Sequence, residues 1–143
     1  MEMAQMKVKL SDMVDAIEST DDETHYYYNM DSGEILFIND EISEDSEKEE
    51  LEENFDRYIS LPSKYDIDDY QIMEQFIWSL SDEGQQNRLE NGISGRGAFR
   101  RFRELTDELG LTQKWYDFRA STYQRIASEW CQDNHVELVD DYK

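Results

Sequence analysis

Four arginines and two aromatic residues are the side chains whose types and spacing best suit chemistry. Arg96, Arg100 and Arg103 fall in the run Gly95-Arg96-Gly97-Ala98-Phe99-Arg100-Arg101-Phe102-Arg103, the basic patch of the sequence. Spacings of four and three line them up along one side of a helix, with Ala98, Phe99, Phe102, Leu105 and Leu109 on the side to be buried. A glycine-rich entry to a helix start suits an anion, because unpaired amide N–H groups and guanidinium charge then converge. No Lys-Ser/Thr pair follows, so this is not the phosphate-loop pattern, and the dinucleotide fingerprint is incomplete. The same residues have a purely structural use. Arg100 can pair with Glu104 and Arg103 with Asp107, each four residues on, and the glycines permit a tight corner between helices.

The fourth arginine is Arg119. At about 100° per residue, Trp115, Arg119, Thr122, Tyr123, Ile126 and Trp130 share one face of a last helix. Trp115 and Tyr123 lie one turn either side of Arg119. A guanidinium among rings can stack on them, but its donors still need acceptors. Two readings stay open: an internal salt bridge with the arginine stem filling core space, or a receptor for a phosphate or a partner's carboxylate.

Other constellations carry less. Asp66-Ile67-Asp68-Asp69 resembles the opening of a calcium loop, yet Gln71 and Ile77 stand where Gly and Glu are needed, so helix capping explains it better. Cys131 and His135 are four apart and could share a helix face, but two ligands make no zinc site. His25 is the only other histidine, and neither sits in a catalytic motif. Carboxylates are too abundant to single out a general acid–base pair. No metal or cofactor is expected.

These groups sit in a strongly acidic chain. Net charge is −21 over 143 residues. Residues 1–69 carry 22 acidic and 5 basic side chains, a net of −17, which leaves −4 for the remainder. Such a field repels nucleic acid and anionic membrane and attracts a basic protein, although a merely solvated acidic surface would read the same way. The lone Cys131 precludes an internal disulfide and fits a reducing compartment. Met1-Glu2-Met3-Ala4-Gln5 has no basic-then-apolar leader pattern, and no run approaches the ~18 apolar residues of a membrane span. A cytoplasmic location is expected.

The elements that must position the candidates follow from periodicity. Ser11 is a candidate N-cap for a helix bearing Met13, Val14 and Ile17 and ending near Ser19. Tyr26-Tyr27-Tyr28, the turn residues through Gly33 and Ile35-Leu36-Phe37-Ile38 predict an antiparallel hairpin over 25–29 and 34–39. Like charges at 40–53 predict a mobile loop or one exposed helical turn. Phe55, Arg57, Ile59 and Leu61 alternate as a third strand ending at Pro62. Helical spacing then takes over: one helix through Ile72, Met73, Phe76, Ile77 and Leu80, a short one over Gln85–Asn91, one over Ala98–Leu109 stopped by Gly110, and a last from a Thr112 cap to about Asp133. Val136-Glu137-Leu138-Val139 adds a short edge strand. The fold class is α+β: a single domain with an N-terminal helix, three or four short antiparallel strands and about four C-terminal helices.

Several blocks are jointly familiar. Leu61-Pro62-Ser63-Lys64-Tyr65-Asp66-Ile67, Met73-Glu74-Gln75-Phe76-Ile77, the Gly95–Phe102 run, Trp115-Tyr116-Asp117-Phe118-Arg119 and Glu129-Trp130-Cys131 resemble one small bacterial family, catalogued only as an uncharacterised protein family. The resemblance covers about residues 55–135. It implies a cytosolic bacterial protein of one domain and brings no activity or catalytic residue with it. The residues themselves favour a non-enzymatic interaction or regulatory protein that offers carboxylates to a basic partner. The alternative is nucleotide or single-stranded RNA binding through Arg96, Arg100, Arg103 and Arg119, against which the net charge works. An enzyme would need these groups to converge in a pocket, and oligomeric state is open.

Overall fold

A computed structural model describes residues 6–142; Met1–Gln5, read above for a leader, lie outside the described part. The chain is α+β and divides into two units, one of residues 1–67 with 123–143 and one of residues 68–122.

The first unit is built on Tyr28. Strands β2 (Thr24–Asn29) and β3 (Ile35–Asn39) form the expected hairpin, with Tyr28 opposite Ile35 and Tyr26 opposite Phe37. Asn29 fixes the turn: its side-chain oxygen accepts from the amides of Asp31 and Ser32, and Gly33 follows at φ +76°. Tyr28 is fully buried, its hydroxyl donates to the Lys7 carbonyl at 2.8 Å, and its ring meets Trp130 edge-on at 6.0 Å. Burying a phenol without that acceptor would cost free energy, so the bond explains how a tyrosine serves as core.

Helix α1 (Leu10–Ser19) packs Leu10, Met13, Val14, Ala16 and Ile17 inward. Ser11 is not its cap. The helix starts one residue earlier, and the Ser11 amide and hydroxyl both donate to Asp141, a residue 130 positions away that supplies the missing acceptor. Before it runs β1 (Lys7–Lys9), unforeseen because a Lys-Val-Lys triplet has one apolar residue to reveal it. It pairs in parallel with β5 (Glu137–Val139), so the expected edge strand exists but joins β1 rather than the antiparallel sheet.

The acidic run also departs from expectation. Asp45–Glu53 is helix α2, more than two turns long, with no buried residue. Asp45 and Glu47 occupy its first turn, where the helix dipole offsets carboxylate repulsion. The third strand is shorter than its alternation predicted: Phe55–Arg57 form a 3-10 turn with Phe55 exposed, and only Tyr58–Ser60 (β4) pair with β2. The single-turn helix α3 (Lys64–Ile67) closes this stretch, Ser63 and Asp66 exchanging hydrogen bonds as a capping pair.

In the second unit, helices α4 (Asp69–Ser79), α5 (Glu83–Gly92) and α6 (Ala98–Leu109) and the start of α7 (Thr112–Asp133) gather aromatic rings. Phe76 lies at 6.1 Å from Phe102, 5.4 Å from Trp115 and 5.5 Å from Phe118, all edge-on. Each such pair adds ~0.5–1.5 kcal/mol beyond area burial. Asp68 and Asp82 cap α4 and α5 through the amides of Gln71 and Gln85. Gly110, at φ +71°, ends α6, and the Leu111 amide turns back to the Thr106 carbonyl at 2.8 Å.

Candidate functional site

Helix α7 is regular from Thr112 to Asp133, and it carries Arg119 as the spacing required. The Arg119 guanidinium carbon lies 6.0 Å from the centroid of Trp115 and 5.4 Å from that of Tyr116. Tyr116, three residues back and exposed, is the ring that face-counting missed. Trp115 is buried within the Phe76 and Phe102 cluster. Tyr123, counted with Arg119 above, is buried and belongs to the other unit. Arg119 is half-buried and engaged within the chain. The arrangement sets a guanidinium within cation–π range of two rings.

Arg96, Arg100 and Arg103 lie exposed along α6 and the turn before it. Arg100 approaches Glu104 at 3.8 Å with both side chains largely solvated, a pair contributing little. The expected Arg103–Asp107 pair does not form among the described residues, and Asp107 instead accepts a hydrogen bond from the Thr112 hydroxyl. Thr112 is thereby the first residue of α7 and ties it to α6, where the sequence suggested a cap. Among the described residues neither Arg96 nor Arg103 forms an ion pair. Phe99 is the second correction on this helix. The buried positions are Ala98, Phe102 and Thr106, at strict four-residue spacing, which rotates Phe99 onto the arginine edge with half its surface exposed. Tyr70 meets it edge-on at 6.5 Å.

The arginine that sequence reasoning passed over is Arg101. Its Nε donates to the Gly92 carbonyl at 2.6 Å, and its two terminal nitrogens donate to Arg96 and Ser94 carbonyls at 2.5 Å each. It satisfies the carbonyls left by the end of α5 and by the turn through Gly95 and Gly97, both at φ +75°. A side chain on Gly92 would overlap the Leu105 methyl, so the corner is close as well as tied. The signal was in the sequence: a glycine turn leaves carbonyls without partners, and an arginine four residues past Gly97 can reach them.

Two clefts in the first unit are lined by carboxylates. One, of about 460 Å³, has Asp12, Asp15 and Ser19 of α1 on one wall and Tyr26, Glu34 and Ile35 of the hairpin on the other. Asp12, Asp15 and Ser19 recur at helical spacing opposite the buried Met13, Val14 and Ile17, so burying one face presents the other. None of the three acids is ion-paired among the described residues. The second, of about 270 Å³, holds Asp66, Glu129 and Asp133 around Leu61 and Trp130. None of the four singled-out arginines borders either cleft.

Cys131 is buried, and burial pushes its thiol up to about 11. His135 does not share its helix face: α7 ends at Asp133 and His135 sits exposed in the following turn at φ +58°. Among the described residues no three His, Cys, Asp or Glu side chains gather as a metal site, and no helix is long and apolar enough to cross a membrane.

The sequence model of UPF0158, described as an uncharacterised protein family, matches residues 3–142. UPF0158 proteins of Chlamydia muridarum and Chlamydia trachomatis are each 30% identical over 132 residues, which is 89% of this chain and 40% of theirs. A UPF0158 protein of Chlamydia pneumoniae matches at the same identity. The chain thus spans about two fifths of the length of these curated relatives. No solved structure matches it.

Proposed function

The chain belongs to the UPF0158 family, and we propose that it is a non-enzymatic interaction or regulatory protein whose acidic first unit receives a basic protein partner. The observation that carries this reading is the cleft between α1 and the hairpin. Among the described residues its Asp12, Asp15 and Glu34 have no cationic partner, while Tyr26 and Ile35 offer apolar surface to the alkyl stem of an incoming Lys or Arg. The surplus of carboxylates in residues 1–69, α2 among them, would steer such a partner and speed its association. The buried, protonated Cys131 suits a cytoplasmic setting.

Fluorescence anisotropy with a labelled deca-arginine peptide at low salt tests the reading. The variant Asp12→Asn/Asp15→Asn/Glu34→Gln is expected to bind about tenfold more weakly. A milder loss is expected from deleting residues 40–53, or from Glu→Gln at Glu49, Glu50, Glu52 and Glu53. Equal affinity of the triple variant and the parent removes the cleft from the reading. Affinity that does not fall with added salt removes the electrostatic basis altogether.

A second reading draws support from Phe99. Half-exposed on the same edge as Arg96, Arg100 and Arg103, with Tyr70 beside it, it supplies a stacking surface next to guanidinium groups. That combination suits a nucleotide or single-stranded RNA, with Arg119 as a further contact. Filter binding of a short RNA at low salt decides it, and no retention by the parent protein rules it out.

A further inference from the structure

A cleft of about 350 Å³ opens in the second unit, where the end of α4 meets the first turns of α7. Its volume lies in the range of small-molecule sites. The floor is apolar, made by Phe76, Leu80 and Phe118, and the edge-on contact of the two phenyl rings at 5.5 Å fixes it in place. On α7, Lys114, Asp117, Phe118 and Ser121 recur at spacings of three, one and three, so one helix face presents all four. Lys114 and Asp117 stand a turn apart, both exposed. Neither forms an ion pair with the other or with any other described residue. Asp117 accepts from the Gln113 side-chain amide at 3.0 Å.

One ammonium and one carboxylate, each without a counter-ion among the described residues, therefore flank a rigid apolar floor with serine hydroxyls at the rim. We propose that this cleft binds a small zwitterion with an apolar side chain, the chemistry of a free aliphatic α-amino acid. The ligand carboxylate meets Lys114 and a serine hydroxyl, its ammonium meets Asp117, and its side chain lies on Phe76, Leu80 and Phe118. Charge supports this class over simple anions or cations. A lone anion would find Asp117 beside its site, and a lone cation would find Lys114. A zwitterion has no net charge, so the −21 of the whole chain does not repel it.

Isothermal titration of the whole chain with L-leucine, L-leucinamide and N-acetyl-L-leucine reads the three contacts apart. L-leucine is expected to bind. Leucinamide, which lacks the carboxylate, and N-acetylleucine, which lacks the ammonium, are expected to bind at least about tenfold more weakly. Lys114→Met and Asp117→Asn are each expected to weaken L-leucine binding to a similar extent, and Ser121→Leu to abolish it by filling the cleft. All three positions are exposed, and unchanged thermal unfolding shows that the fold persists. Absence of L-leucine binding to the parent, equal binding of either derivative, or unchanged affinity in Lys114→Met or Asp117→Asn overturns the proposal.

Discussion

The indole N–H of Trp130 donates to the Ser60 carbonyl at 2.9 Å, joining α7 to the end of β4 across 70 residues of sequence. The same ring meets Tyr28 edge-on, so one side chain holds the last helix, the sheet and the buried phenol together. Trp130→Phe keeps most of the apolar contact and removes the donor. It is expected to destabilise the fold by about 0.5–1.5 kcal/mol, the net worth of one part-buried hydrogen bond, since water can reach the Ser60 carbonyl. Trp130→Ala adds a cavity and is expected to cost about 3–5 kcal/mol. Urea unfolding followed by circular dichroism checks both, and equal midpoints for Trp130→Phe and the parent would show the bond to be idle.

Arg100 and Arg101 are adjacent in sequence and opposite in role. Arg100→Met removes a solvated ion pair at 3.8 Å and is expected to change stability by less than about 0.5 kcal/mol. Arg101→Met removes three charge-assisted bonds to the carbonyls of Gly92, Ser94 and Arg96 and is expected to cost about 2–3 kcal/mol. Arg101→Lys is expected to recover only part of this, since an ammonium cannot reproduce the planar fork. The order of the three unfolding midpoints is the measurement.

What could be read from sequence divides along physical lines. Helices α1, α4, α6 and α7 and the hairpin announced themselves because each buries a periodic apolar face, which leaves a repeating mark. Strand β1 left none: three residues with a single buried valine cannot show a period, and its partner β5 lies at the other end of the chain. The length of helix α2 escaped because it buries nothing, so charge density was the visible signal and it pointed to a loop or a single exposed turn. In the candidate site, the place of Arg119 on α7 followed from spacing alone. The ring it faces besides Trp115, and the inward–outward assignment of Phe99, depended on helix rotation to within a residue. The long-range acceptors, Asp141 for Ser11 and Ser60 for Trp130, have no local signature at all.

Gly110 ends α6 at φ +71° with open space where a Cβ would stand. Any penalty for replacing it is therefore one of backbone conformation and not of crowding. Gly110→Ala is expected to lower stability by about 1–2 kcal/mol, and Gly110→Asn by less, because asparagine tolerates the left-handed region. Equal losses for the two would mean that φ is not the determinant.

Asp141 lies on the surface, yet it is bound twice. The hydrogen bond from the Ser11 hydroxyl, and then the one from the Ser11 amide, hold its carboxyl below the ordinary 3.8. A carboxylate whose folded pKa is depressed contributes stability that is fully present above the unfolded value and is lost as pH falls through the folded one. The contribution of Asp141 is therefore complete at neutral pH and constant down to about pH 5, then declines below pH 4 as the carboxylate protonates. Asp141→Asn retains a carbonyl oxygen for one of the two Ser11 bonds but carries no charge for the start of α1. The variant is expected to be less stable than the parent from pH 5 to pH 8 by a fixed margin, with the margin closing as pH falls below about 4. Urea midpoints for both proteins across that range test the claim. A margin that persists undiminished at the acid end would mean that Asp141 acts by packing, and that the charge on the cap is incidental to how the C-terminal segment holds the first helix.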